Sequence, residues 1–101
     1  MICEFQMCER FGSFLADGDV ANHFRFCEVE PKFATCSTII FDFAGVDNMT
    51  DSFANACFGM LAEDHPREIS EKVRFRNCST LIHDFLASAV SFGRHKGLQA
   101  H

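Results

Sequence analysis

Ser37-Thr38-Ile39-Ile40-Phe41-Asp42-Phe43-Ala44-Gly45-Val46-Asp47-Asn48-Met49-Thr50-Asp51-Ser52-Phe53-Ala54-Asn55-Ala56 is the stretch from which the architecture can be worked out. Its first part, Thr38 to Phe43, is almost continuously apolar and β-branched. That composition predicts an inner strand covered on both faces, or nearly so. Asp42 ends it, a polar turn follows, and a hydroxyl residue opens an apolar helix running to about Ala62. Phe53, Ala56, Cys57, Met60 and Leu61 form the core stripe of that helix. Ser52 then sits where backbone N–H groups have no intrahelical partner and the helix dipole is positive. A regulatory phosphate or an acidic partner group fits there. So does an ordinary helix cap, which is worth about 1 kcal/mol.

Working outward to the N-terminus, Ile2 to Cys8 alternates and reads as a strand. Ser13 to Ala16 reads as its hairpin partner. Asp19 is the expected cap of a helix carrying Val20, Phe24 and Cys27 on one face, with Pro31 closing the segment. Toward the C-terminus, Glu63 to Pro66 breaks the chain, and Glu71 to Arg76 alternates as a strand with one wet face. Asn77 to Ser79 form a turn and cap. The last helix repeats Leu81, Ile82, Phe85, Leu86, Ala89 and Val90, with Gly93 as its expected C-terminal cap. Residues 94–101 read as a flexible tail. The resulting fold class is α/β: one domain over residues 1–93, with a four-stranded mixed sheet and helices mainly on one face.

Composition narrows the function. At 101 residues a single domain buries roughly two thirds of its unfolded surface. The net charge is −5, and the only basic clusters are Lys72/Arg74/Arg76 and Arg94/His95/Lys96. Both read as solvated surface, so no direct nucleic-acid contact is expected. No apolar run is long enough for a membrane span. Met1-Ile2-Cys3-Glu4-Phe5 lacks the basic flank and apolar stretch of a leader, so a cytoplasmic protein is expected. The 13 Phe residues, with no Tyr or Trp, supply burial without a polar handle. Six Cys without a C-x-x-C pair point to reduced thiols, with Cys27 and Cys57 on apolar helix faces as small buried hydrophobes, and neither the Cys nor the five His show metal-ligand spacing.

With Ile40-Phe41-Asp42-Phe43-Ala44-Gly45-Val46 followed by Ser52-Phe53-Ala54, and with Val73-Arg74-Phe75-Arg76-Asn77 later, the chain resembles the STAS-like family over roughly residues 3 to 92. These are small bacterial and phage domains related to anti-sigma-factor antagonists. In the better-known STAS domains a strand-end Asp leads to an Asp-Ser-Ser-Gly helix start, where a partner kinase phosphorylates one serine. The resemblance places Ser52 at the phosphoacceptor position and Asp42 at the strand-end acid. Thr50 stands where the loop aspartate is expected, Asp51 replaces the first serine and Phe53 replaces the glycine. A phosphate on Ser52 would also meet repulsion from Asp51 and Asp47.

Neither a phosphate-cradling loop nor a nucleophile elbow is present, and His83-Asp84 are adjacent on a helix, so their side chains diverge. The acids Asp42, Asp47, Asp51 and Asp64 read as a solvated rim in place of a magnesium site. The expectation is a non-catalytic, cofactor-free and metal-free regulatory module that binds another protein: a regulatory kinase, a sigma-factor regulator or a host defence complex. Its contact candidates are Asp42, Asp47, Asn48, Asp51, Ser52 and Asn55, and homodimerisation is open to it. The alternative is a stand-alone acidic inhibitor, for example a phage anti-defence protein, occupying the nucleic-acid-binding surface of a host complex.

Overall fold

In the computed structural model, which describes residues 1–99, the inner strand is β3 (Thr38–Asp42). It lies between β1 (Ile2–Gln6) and β5 (Val73–Arg76), parallel to both. The register sets Phe5, Phe41 and Phe75 side by side, with Cys3, Ile39 and Val73 one step earlier. Those six share one face, which is the packed one. Glu4, Ile40 and Arg74, then Gln6, Asp42 and Arg76, share the other. There Arg76 reaches across the central strand to Glu4 at 2.9 Å. A parallel sheet is commonly covered on both faces; here helices pack on one, as the Phe41–Phe58, Phe5–Phe24 and Phe58–Phe75 ring contacts show.

The hairpin does not form, and the sheet is not a four-stranded mixed one. The alternation that begins at Ile2 stops at Gln6, where α1 (Met7–Phe11) starts and buries Met7 completely. Gly12, at φ 83°, ends that turn of helix in a conformation that favours glycine. The chain then enters β2 (Phe14–Leu15), which pairs in parallel with β4 (Asn48–Met49) as a separate two-stranded sheet. Strand β1 finds its partner 36 residues away instead, with Ile2 opposite Thr38. Cys3 is disulfide-bonded to Cys36, their Cα atoms 6.5 Å apart, so two of the thiols expected to be reduced are paired at the entrance to these strands.

Two helical rods cover the packed face, each interrupted by one π-helical segment. The first runs through α2 (Gly18–Phe24), a π segment at Arg25–Val29 and α3 (Glu30–Thr35). Asp17, two residues earlier than the expected Asp19, caps it by accepting from Asp19 N and Val20 N. Pro31 falls in the first turn of α3, where a proline needs no N–H partner, so the rod continues past it. The second rod runs through α4 (Asp51–Ala54), a π segment at Asn55–Gly59 and α5 (Met60–Asp64). A short helix α6 (Glu68–Lys72) claims Glu71 and Lys72 from the expected strand. Lys72 anchors it, donating to the Phe33 carbonyl at 2.6 Å.

The last helix, α7 (Thr80–Gln99), is longer than its apolar repeat. Ser79 Oγ accepts from Ile82 N at 3.2 Å and starts it, as expected. Gly93 does not end it. Instead Gly93 and Gly97 are buried against the second rod, and the segment expected as a tail is helical through Gln99. Residues 100 and 101 of that expected tail lie outside the described residues. Among the described residues no helix is long and apolar enough to cross a membrane.

Candidate functional site

The exit of β3 is built as a locked turn. Asp42 Oδ1 accepts from Ala44 N at 2.9 Å and from Asn77 Nδ2 at 3.0 Å. Asn77 adopts φ 59°, the left-handed conformation that asparagine tolerates better than most side chains. These donors, the Ala44 N–H first and Asn77 next, hold the Asp42 carboxyl below its ordinary value against the opposing effect of burial. Asp42 is only 7% exposed. It organises the turn and is no contact residue for a docking surface. Gly45 completes the turn at φ 84°, where a side chain would press on the Cys8 sulfur.

Beyond the turn, the chain is pinned to the β2 segment. Asp47 N donates to Ser13 O at 2.8 Å and Thr50 N to Leu15 O at 2.9 Å. Thr50 Oγ1 donates to Ala16 O at 2.8 Å and accepts from Phe53 N at 3.1 Å, so Thr50, not Ser52, is the helix cap. Ser52 is exposed in the first turn, its backbone packed against Gly18 at the start of the other rod. Asp47, Asn48, Asp51 and Asn55 are exposed as well. Asn48 spends its side-chain oxygen on Met49 N at 2.8 Å.

Asp51 and Asn55, one helical turn apart, border a groove of about 370 Å³ against α7, whose wall includes Phe85, Ala89 and Phe92. A shallower extension of about 220 Å³ runs on past Asp51 to Leu81 and Asp84. Phe92 is 64% exposed and Leu81 46% exposed. The combined lining holds two carboxylates and no cationic side chain. Sequence reading missed the α7 half of this site. Leu81 and Phe85 belong to the apolar repeat of α7, which is wider than the helix buries: Leu81 is exposed, Phe85 is partly buried against the core, and Phe92 lies beyond the repeat. The signal available was that excess width.

Chemically the site presents an apolar wall with an acidic edge. Cys57, on the buried side of the same rod, has its thiol pushed well above the ordinary range by desolvation, despite the opposing charge of Arg25. Cys78 is shifted upward too, by burial and by the Asp42 carboxylate. Neither thiol is activated as a nucleophile. Among the described residues no group of three or more His, Cys, Asp or Glu side chains converges to hold a metal ion.

Residues 26–83 of the chain match a family described as a STAS-like domain of unknown function. No curated protein and no solved structure gives a match.

Proposed function

This chain belongs to the STAS-like family, and from that premise we propose that it is a non-catalytic regulatory module that binds another protein through the groove between α4 and α7. The observation that carries the reading is the meeting of Asp51 and Asn55 with a wall made by the half-buried Phe85 and the exposed Phe92. Burial of exposed aromatic surface supplies affinity at such a site. The carboxylates of Asp51 and Asp84 at the edge select a partner whose contact surface is apolar at its centre and basic at its margin. Asp47, Asn48 and Ser52 are exposed along the chain's path into α4 and extend the contact in this reading.

Ser52 is the switch position in this reading. A phosphate there adds negative charge beside Asp51 and changes the affinity for a basic partner; its own stability suffers from the same neighbour. The test is affinity capture from cells expressing the tagged protein, comparing wild type with Asp51→Lys and Phe92→Ser. Proteins retained by wild type and lost by both variants support the reading. An unchanged set of retained proteins overturns it, and mass spectrometry of the same material shows whether Ser52 carries phosphate.

A further inference from the structure

Helix α7 separates two grooves of opposite character. On the flank away from α4, a groove of about 410 Å³ opens between α7 and the edge strand β5. Phe75, Leu86, Val90 and Leu98 supply its apolar lining, and its polar lining includes Arg94, His83 and His95. No carboxylate lines it, in a chain whose net charge is −5. Its volume falls in the range typical of small-molecule sites, roughly 300–1,000 Å³.

Arg94 is the organising group. It is half-buried, and its Nε donates to the Pro66 carbonyl at 2.8 Å. That bond fixes the guanidinium at the groove while using one of its five N–H donors. Among the described residues no carboxylate pairs with Arg94, as is true also of Lys32, Arg67 and Arg74, whereas Arg10, Arg25, Arg76 and Lys96 each have one. A tethered guanidinium beside an apolar trough suits an oxyanion, such as a carboxylate, attached to a hydrocarbon or aromatic body. The fork binds the two oxygens together, and the apolar body covers the trough.

We propose that this groove binds small amphipathic carboxylates, the head group on Arg94 and the chain along Leu86, Val90 and Leu98. His83 and His95 each add an N–H donor at the rim, which suits an anion. The proposal does not depend on the α4 groove, which lies on the other flank.

The test uses the full chain and three probes of equal chain length below their micelle concentrations: decanoate, decanol and decyltrimethylammonium. Binding is followed by backbone amide chemical shifts. The expected result is saturable binding of decanoate, with shifts centred on Phe75 and residues 86–98, weaker binding of decanol and none of the ammonium probe. Arg94→Gln weakens decanoate about tenfold, the effect of losing a charge-assisted hydrogen bond, and brings it level with decanol. Because Arg94 also holds Pro66, a second variant is needed. Ala87→Glu places a carboxylate at an exposed position of the lining without touching the core, and it abolishes decanoate binding while the amide spectrum elsewhere stays native. Equal binding of all three probes, shifts centred on another surface, or decanoate binding indifferent to Ala87→Glu would each overturn the proposal.

Discussion

Gly93 of α7 lies directly against the backbone of Gly59 in the second rod, so close that a Cβ on Gly93 would overlap the Gly59 carbonyl oxygen and come within 3.0 Å of the Ala62 Cβ. Gly97 stands in the same relation to Glu63 one turn later. The two glycines let the long helix approach the rod at backbone distance. This contact holds both grooves in shape, because α7 forms a wall of each.

Gly93→Ala therefore destabilises the protein even though alanine is the better helix former by about 1 kcal/mol. The opposing group is a main-chain carbonyl that cannot swing aside, and overpacking of that kind costs about 1–3 kcal/mol. A net loss of up to about 2 kcal/mol is expected as a lower urea midpoint with unchanged slope. A midpoint equal to or above that of wild type contradicts the close approach.

Thr50 and Ser52 separate capping from surface function. Thr50→Ala removes the acceptor for Phe53 N and the donor to Ala16 O, and should cost about 1 kcal/mol or somewhat more. Ser52→Ala removes an exposed hydroxyl and should fall within about 0.5 kcal/mol of wild type. Equilibrium denaturation of the two variants reads this contrast, and a reversal of their order would return the cap to Ser52.

Much of this was legible in the sequence. The run from Thr38 and the helix after Thr50 declared themselves because strand-length apolarity, a turn and capping chemistry occur in that order. The α7 repeat was legible for the same reason, being long and regular. The partner of β1 was not, since alternation in Ile2–Gln6 marks a strand without saying what it pairs with. Strands β2 and β4, of two residues each, are too short for any period. The π segments leave no trace in an apolar stripe that continues through them. Gly93 carried a signal with two meanings, helix end and close packing, and only the neighbouring rod distinguishes them. In the candidate site, Asp42 looked like a surface acid because Asn77, which hydrogen-bonds it into the turn, lies 35 residues away.

Asp42 makes stability depend on pH in a definite direction. Its folded-state value is held below the ordinary 3.8 by the Ala44 and Asn77 donors. A lowered carboxyl contributes stability that is fully present above the unfolded value and is lost as pH falls through the folded one. Asp42→Asn keeps an acceptor oxygen but loses the charge. Its urea midpoint should lie below that of wild type at pH 7, and the gap should close as pH is taken below about 4. A gap that stays constant to pH 3 would mean that the ionised form is not the one held by the turn.

The cysteines should sort by environment. With Cys3 and Cys36 joined, four thiols remain: Cys27 exposed, Cys8 and Cys78 half-buried, Cys57 buried. Alkylation of the native protein is expected to modify Cys27 first and Cys57 only on unfolding, because desolvation keeps Cys57 protonated as well as covered. Reducing the disulfide, whose cysteines are 33 residues apart, should cost about 3–4 kcal/mol on chain-entropy grounds. Peptide mapping with and without reductant checks the order of labelling, and thermal unfolding under the same two conditions checks the cost.

Arg25 joins the two interrupted rods and should not tolerate even lysine. It is 7% exposed and opens the π segment of the first rod. Its Nε donates to the carbonyl of Ala56 in the π segment of the second at 2.9 Å. Its Nη2 donates to Asn22 Oδ1 at 2.6 Å, and Asp64 lies 3.9 Å from Nη1. Lysine carries its donors on one nitrogen and lacks the planar fork that spans these acceptors, so they are met less well. Arg25→Lys is expected to lose about 1–3 kcal/mol, with faster amide exchange across residues 25–29 and 55–59 and little change in β3. Uniform acceleration of exchange throughout the chain would instead assign Arg25 a general contribution to stability. Exchange confined to both π segments is what a bridge between them requires.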